Sequence, residues 1–162
     1  MSRIQLALNV DDLDTSIAFY SKLFGTAPAK TRPGYANFAI VDPPLKLVLL
    51  ENPGTGGTLN HLGVEVADSD TVDDEQKRLA ALGMAATDER GTTCCYAKQD
   101  KFWVEGTPHG EQWEVYTVLA DSATFFGDPG DGPSCCADSD TAAVESDSTT
   151  DDETSRPAAA CC

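Results

Sequence analysis

The sequence has few basic residues and no long apolar run. It holds 11 Lys and Arg against 27 Asp and Glu, for a formal net charge of −16 over 162 residues. Because no basic patch interrupts this acidic composition, nucleic acid and anionic membrane surfaces are poor candidate partners. The longest apolar runs, such as residues 47–50, are far too short to span a membrane. Residues 1–3 lead directly into a strand pattern rather than a signal peptide, so we expect a cytoplasmic protein.

Large aliphatic residues are almost missing from the last part of the chain. From Asp128 onward the sequence is rich in Asp, Ser, Thr, Ala, Gly and Pro, and Val144 is its one large aliphatic residue. Such a composition buries too little apolar surface to offset the entropy lost on ordering. We therefore expect residues 128–162 to form a disordered acidic tail. Residues 1–127 have the length of one ordinary domain or of two small modules that share a core.

The six cysteines occur as three adjacent pairs, which are Cys94-Cys95, Cys135-Cys136 and Cys161-Cys162. An even number of cysteines in a small secreted protein suggests disulfides, but neighbouring cysteines seldom bridge each other because the small ring strains the trans peptide bond. We expect paired free thiols in a reducing compartment. The two tail pairs either collect thiol-binding compounds or have no catalytic role, and the sequence favours neither reading.

The folded part contains an internal repeat. Residues 5–12 align with residues 61–68 at an offset of 56 positions. In both copies a period-2 strand runs into an acidic turn that can cap a helix, and each helix ends at glycine. The helices are predicted over residues 13–24 and 71–82, with Phe19, Tyr20 and Phe24 in core contact.

Short β-rich stretches follow each helix and are separated by Pro and Gly. They are predicted at residues 35–41, 46–50, 84–86, 93–97, 101–104 and 113–119. The result is an α+β fold made of two βαβββ modules, residues 1–56 and 57–127, that curve together around a central cleft.

Strand alternation brings Gln5 and His61 to equivalent positions on the cleft side of the two modules. In the last strand, Glu114 and Tyr116 share one face. If that face lines the cleft, an amide, an imidazole and a carboxylate converge, and borderline divalent metals accept such a set while keeping open coordination positions. Taken singly, each residue is more simply an ordinary polar strand residue. The symmetry of Gln5 and His61 across the repeat is what favours a metal site.

Two sets of residues resemble known families. The pattern from Val10 to Tyr20 resembles the opening of the vicinal oxygen chelate superfamily, which includes glyoxalases, bleomycin-resistance proteins and extradiol dioxygenases. The stretches at 34–40, 43–49, 56–66 and 91–97 resemble the arsenic-inducible carbon–arsenic lyases, relatives of proteins called cadmium-induced. This second resemblance covers residues 3–120 and leaves the tail outside it.

The second resemblance implies an Fe(II)-dependent, O2-using enzyme that cleaves the carbon–arsenic bond of trivalent organoarsenicals. Methylarsenite and reduced aromatic arsenicals are the implied substrates, and arsenite is the product. The metal positions of that family fall on Gln5, His61 and Glu114, and its substrate-binding thiols fall on Cys94 and Cys95. Because an amide replaces the more usual histidine, Gln5 implies a weaker and more labile metal site, in which Ni, Co or Zn can replace iron in a crystal.

The adjacent thiols suit a soft electrophile such as trivalent arsenic. A dithiol holds such an atom better than a single thiol, because the second bond forms intramolecularly. Since a regular strand would send Cys94 and Cys95 to opposite faces, we expect an irregular or mobile backbone over residues 92–101. Tyr96, Lys98 and Lys101 are predicted on a loop that closes over the substrate. In the simpler reading, the two cysteines are small buried strand residues.

Two other functions remain open. A lyase or thiol transferase of the glyoxalase or fosfomycin-resistance type needs a fourth ligand, and the matching residues 46–51 are mostly apolar. A metal-free protein that sequesters drugs or heavy metals such as Cd²⁺ would bind its ligand without consuming O2. The sequence also leaves open whether the chain is a monomer or a homodimer.

Overall fold

The same order of strands and helix occurs twice in the computed structural model, which describes residues 2–127. The first half contains β1 (Arg3–Val10), α1 (Leu13–Phe24), β2 (Lys30–Arg32), β3 (Tyr35–Ile40) and β4 (Leu45–Glu51). The second contains β5 (Leu59–Glu65), α2 (Ser69–Ala81), β6 (Ala86–Cys94), β7 (Ala97–Val104) and β8 (Trp113–Asp121). The predicted βαβββ order is confirmed. The predicted tail, with its two cysteine pairs, lies outside the described residues.

The eight strands form one curled sheet in the order β2-β3-β4-β1-β5-β8-β7-β6. Within each half, the first strand pairs in parallel with the last, as β1 with β4 and β5 with β8. The halves meet where β1 and β5 pair in antiparallel orientation. This architecture confirms the predicted mixed α+β fold. The module boundary at residues 56 and 57 falls in the β4–β5 loop and stays a prediction.

Both helices begin at an aspartate cap. Asp12 accepts a hydrogen bond from the Thr15 backbone N–H at 2.7 Å, and α1 ends at Gly25 with φ at 64°, as the sequence predicts. In α2 the cap is Asp68, so the helix begins at Ser69, two residues earlier than predicted.

The helices pack against one face of the sheet. On the α1 side, buried Phe38, Leu47 and Leu49 contact Leu13, Ile17, Tyr20 and Phe24. These four helix residues recur every three or four positions and form one stripe. Phe19 lies off that stripe and is 59% exposed, so its predicted core contact is wrong, whereas those of Tyr20 and Phe24 are confirmed.

The strands of the second half differ from the prediction. Residues 84–86 and 93–97 are not separate strands, because β6 and β7 form one long hairpin whose tight turn is Cys95-Tyr96. Both turn residues have positive φ, 55° and 60°, which glycine and asparagine usually supply. Since neither is present, this turn could not be predicted from the sequence. No helix within residues 2–127 has the length and apolar character needed to cross a bilayer.

Candidate metal and thiol site

Three adjacent strands at the centre of the sheet bring Gln5, His61 and Glu114 together. Gln5 on β1 pairs with Gly63 on β5, and Gly63 pairs in turn with Glu114 on β8. His61 lies two residues before Gly63, on the same face of β5. The three side chains are 5%, 3% and 3% exposed. The structure therefore unites the three predicted residues in a buried polar cluster.

The polar atoms of this trio are in mutual contact. The Gln5 amide nitrogen donates to Glu114 Oε1 at 2.8 Å and lies 2.9 Å from His61 Nε2. His61 Nε2 is 3.4 Å from Glu114 Oε1. The Gln5 amide nitrogen thus bridges His61 and Glu114, and the three side chains converge on one point.

Gly63 makes this convergence possible because it has no side chain. A Cβ at this position would lie 3.2 Å from Gln5 Cβ, Glu114 Cγ and Tyr116 Cε1. Such distances are shorter than ordinary carbon–carbon contacts. Gly63 therefore acts as the spacer across which the side chains of Gln5 and Glu114 approach each other.

A chain of asparagines orients the imidazole. Asn60 Oδ1 lies 2.6 Å from His61 Nδ1, and Asn60 donates its amide hydrogen to Asn9 Oδ1 at 2.9 Å. Because this second bond turns the Asn60 oxygen toward the ring, His61 Nδ1 carries the proton and donates it. His61 Nε2 then presents a lone pair toward Gln5 and Glu114. Partners of this kind commonly fix metal-binding histidines.

Electrostatics keep Glu114 ionised. Burial acts to raise the pKa of its carboxyl group, but the ammonium groups of Lys101, 3.4 Å away, and of Lys46 outweigh burial and hold the pKa below its usual range. Lys101 is itself 1% exposed and also lies 3.5 Å from Glu89. The site thus holds a permanent carboxylate beside an imidazole lone pair.

The donor set fits one divalent metal ion. Two ligand atoms about 2.1 Å from one ion, at roughly right angles, lie about 3 Å apart. His61 Nε2, Glu114 Oε1 and the Gln5 amide nitrogen have a similar spacing, and half a turn of the amide would put its oxygen in the place of the nitrogen. Because the third donor is an amide, residues 2–127 contain no metal-binding cluster of three His, Cys, Asp or Glu side chains.

The repeat supplies no fourth donor. The offset of 56 maps Ala7 onto Gly63, and their neighbours in the parallel ladders are Val48 and Glu114. Val48 therefore occupies the position in the first half that Glu114 occupies in the second. A valine cannot bind a metal, so a bound ion would keep coordination positions open.

Cys94 and Cys95 lie on the wall of the same cavity. The cavity is small, and its lining includes both cysteines together with Gln5, His61 and Glu114. The Cys94 and Cys95 sulfur atoms are 3.2 Å apart and are not joined by a disulfide. The positive φ of Cys95 breaks the strand alternation that would otherwise separate them. The predicted irregular backbone is thus confirmed at the turn, whereas residues 97–101 belong to strand β7, whose pairing with β8 shifts register between Lys98 and Gln99.

The expected loop of Tyr96, Lys98 and Lys101 needs correction. Lys98 and Lys101 lie on strand β7, because the hairpin turn is only two residues long. Lys98 is exposed and does not line the cavity, whereas Lys101 does. Tyr96 packs against Tyr35 and Phe125 and donates its hydroxyl hydrogen to Pro33 O at 3.1 Å. A role of these three residues in substrate binding stays a prediction.

The sequence patterns did not identify Lys46 or Asn60 as site residues, or the hydrogen bonds of Tyr116 with Gln5 and Lys46. Lys46 was hidden in a stretch read as apolar, yet it alternates with Leu45 and Leu47 and therefore points to the cavity. Its Nζ donates to the Tyr116 hydroxyl at 2.9 Å. The period-2 pattern of β4 could have identified Lys46.

Comparisons with known proteins agree on one family for this chain. The sequence profile of the Glyoxalase/Bleomycin resistance protein/Dioxygenase superfamily matches residues 3–115. The chain is 65% identical over 143 residues to the cadmium-induced protein CadI of Mycobacterium tuberculosis, covering 84% of this chain and 93% of that protein. It is 58% identical over 141 residues to the trivalent organoarsenical cleaving enzyme of Thermomonospora curvata, covering 86% and 91%.

Solved structures support the same fold. The Mn(II)-bound glyoxalase from Novosphingobium aromaticivorans superposes with a TM-score of 0.53 at 19% identity, covering 76% of this chain and 42% of that one. An extradiol ring-cleaving dioxygenase from B. fuscum superposes with a TM-score of 0.52 at 21% identity, covering 74% and 33%. At these identities the likeness concerns the fold alone.

Proposed function

The chain belongs to the Glyoxalase/Bleomycin resistance protein/Dioxygenase superfamily, and we propose that within it the chain is an Fe(II)-dependent, O2-using enzyme that cleaves the carbon–arsenic bond of trivalent organoarsenicals. The substrates are methylarsenite and reduced aromatic arsenicals, and the arsenic product is arsenite. The observation that carries the proposal is one small cavity lined by both a buried amide–imidazole–carboxylate trio and two adjacent thiols. Relatives named for organoarsenical cleavage, at up to 58% identity, support it.

The thiols of Cys94 and Cys95 bind the arsenic atom. Trivalent arsenic is soft and forms bonds to sulfur, and two sulfur atoms 3.2 Å apart can bind one atom together. Cys94 is 1% exposed and Cys95 is only partly buried. Because both thiols line the same cavity as the trio, an arsenic atom bound to them presents its carbon within the cavity that the trio also lines.

Gln5, His61 and Glu114 hold the metal. When bound there, Fe(II) supplies the activation of O2 that oxidation of the carbon requires. His61 contributes its Nε2 lone pair because Asn60 holds the proton on Nδ1, and Glu114 contributes a carboxylate that Lys101 keeps ionised. Val48, at the position equivalent to Glu114, supplies no fourth ligand, so coordination positions stay open for O2 and substrate.

The overall reaction of a methyl substrate balances with one O2 molecule. Methylarsenite and O2 together contain the atoms of one formaldehyde and one arsenite. The carbon–arsenic bond breaks, the methyl carbon is oxidised, and O2 is reduced with its two oxygen atoms divided between the products. Arsenic remains trivalent, so Cys94 and Cys95 need no external reductant.

The decisive experiment starts from anaerobic protein loaded with Fe(II). A trivalent methylarsenical is added with O2, and O2 uptake and arsenite release are measured together. We expect one arsenite for each O2 consumed. Tight binding of the arsenical without O2 uptake would favour a sequestering protein, and thiol transfer without O2 uptake would favour the glyoxalase type of reaction.

Two variants separate the roles of the two groups. We expect His61→Ala to abolish turnover and iron loading while arsenical binding is kept, because the thiols lie on another strand pair. We expect Cys95→Ser to weaken arsenical binding while iron loading is kept. If both substitutions reduced iron loading equally, the assignment of two separate binding groups would be wrong.

A further inference from the structure

A second polar cluster lies directly behind Gln5. The Tyr116 hydroxyl is 2.6 Å from Gln5 Oε1 and 2.9 Å from Glu65 Oε2, and Lys46 Nζ donates to it at 2.9 Å. Lys46 Nζ also lies 3.1 Å from Glu65 Oε2. Tyr116 is 0% exposed and Lys46 is 8% exposed, so these bonds are shielded from water. Tyr116, Lys46 and Glu65 therefore form a buried hydrogen-bonded cluster that contacts the Gln5 amide.

The Tyr116 hydroxyl has one proton and two acceptors within reach. It can donate to Gln5 or to Glu65, but not to both at once. Glu65 has other donors, because Arg3 Nη2 lies 2.9 and 3.2 Å from its two oxygens. The proton of Tyr116 can therefore turn from one acceptor to the other while every carboxylate oxygen stays hydrogen-bonded.

The Gln5 amide also has two satisfied orientations. In the arrangement shown by the structure, its nitrogen faces His61 Nε2 and Glu114, and its oxygen accepts from Tyr116. Half a turn of the amide would direct the oxygen between His61 and Glu114 and the nitrogen toward the Tyr116 oxygen. Tyr116 would then donate to Glu65 instead.

We infer that Tyr116, together with Glu65 and Lys46, is a positioning cluster for the Gln5 amide, because the Tyr116 hydroxyl can accept from the amide nitrogen once the amide oxygen has turned toward the metal. This inference rests on the proposed function in one respect, namely that Gln5, His61 and Glu114 hold the metal. Tyr116 acts through Gln5 and touches neither metal nor substrate. An amide needs such a partner because only one of its two ends can bind a cation.

The test is metal affinity measured without turnover. Anaerobic titration with Co(II), followed by its visible absorption spectrum, compares the natural chain with Tyr116→Phe. We expect about tenfold weaker binding in the variant, the effect of one net hydrogen bond. The matched control is Tyr35→Phe, which removes a buried hydroxyl that accepts from Asn37 and is not hydrogen-bonded to Gln5. We expect its affinity to stay within about twofold.

A second background shows whether Tyr116 acts through the amide. In Gln5→Glu the ligand is a carboxylate, both ends of which can bind a cation, so adding Tyr116→Phe should change Co(II) affinity by less than about twofold. Equal losses in both backgrounds would overturn the inference. So would unchanged affinity of Tyr116→Phe in the natural background.

Two further measurements separate a loss of fold from a change in the orientation of the Gln5 amide. Thermal unfolding of every variant identifies a loss of fold, and the side-chain amide resonance of Gln5 gives a direct readout in the natural chain. We expect that resonance to shift on addition of Zn(II). No shift despite tight Zn(II) binding would overturn the inference. If His61→Ala left the affinity of the natural chain for Co(II) unchanged, the proposed metal site itself would be wrong.

Discussion

The two halves of the sheet present equivalent positions to one cavity but fill them with different chemistry. Where the second half has His61 and Glu114, the first has Gln5 and Val48. The second half thus supplies an imidazole and a carboxylate, whereas the first supplies a neutral amide and two methyl groups. A duplicated fold can therefore place the strong metal donors in one half while the other half shapes the cavity.

The positions around these residues follow the same division. Gly63 in the second half corresponds to Ala7 in the first, and only on the Gly63 side would a Cβ crowd the polar residues. Asn60, which orients His61, corresponds to Ile4, because the Gln5 amide has no ring tautomer to fix. The support for each ligand is therefore specific to that ligand and is not a property of the repeat.

The largest expected difference between the halves concerns Glu114 and Val48. We expect Glu114→Gln to weaken Co(II) or Fe(II) binding by roughly a hundredfold or more, since removing a ligand should cost more than removing its supporting partner. Val48→Ala removes no donor and should change affinity only about twofold. Anaerobic metal titration measures both. Equal effects would mean that the carboxylate is not a ligand.

A control for Glu114→Gln is needed because Lys101 is buried beside the carboxylate. After loss of that charge, the Glu89 carboxylate still lies 3.5 Å from the Lys101 ammonium. Thermal unfolding in the presence of chelator separates lost stability from lost metal affinity. A large drop in unfolding temperature with little change in affinity would contradict the ligand role.

The next largest expected effect concerns Asn60, which orients the imidazole of His61. Asn60→Ala removes the acceptor of the imidazole Nδ1–H, and we expect metal affinity to fall about 10- to 100-fold. The matched control is Ile4→Ala at the equivalent position, where affinity should hardly change. Asn60→Asp keeps an oxygen next to Nδ1 and should retain most of the affinity. If Asn60→Asp were as weak as Asn60→Ala, packing rather than orientation of the ring would explain the effect.

The sequence predicted those features of the fold that depend on local periodicity. Strand alternation and the 56-residue repeat placed Gln5 and His61 on one face, and the Asp caps and glycine stops placed the helices to within two residues. The course of the β6–β7 hairpin could not be predicted, because Cys95 and Tyr96 hold positive φ without glycine or asparagine. Packing of Tyr96 against Tyr35 and Phe125 supports that turn, and these contacts come from distant parts of the chain.

The supporting residues of the site escaped prediction for a similar reason. Lys101 was expected on a loop but lies in a strand beside Glu114, because the length of the hairpin arms is set by pairing with β8. The contact of Asn60 with His61 depends on Asn9, which is 51 residues away in the chain. Local patterns identify which residues face the cavity, but hydrogen bonds among them depend on the register of non-adjacent strands.

The smallest expected difference concerns Gly63 and Ala7. Gly63→Ala introduces a Cβ at 3.2 Å from three atoms, so the side chains of Gln5 and Glu114 must shift by a few tenths of an ångström. We expect metal affinity to fall roughly fivefold, because ligand spacing matters on that scale. Stability should hardly change, since the lower entropy of the unfolded chain offsets the crowding.

Ala7→Gly should have the reverse effects, lowering the free energy of unfolding by about 0.5–1 kcal/mol with little effect on metal affinity. Denaturant unfolding and Co(II) titration on both variants measure the two quantities separately, and a loss of affinity in Ala7→Gly as large as that in Gly63→Ala would show that the halves contribute alike.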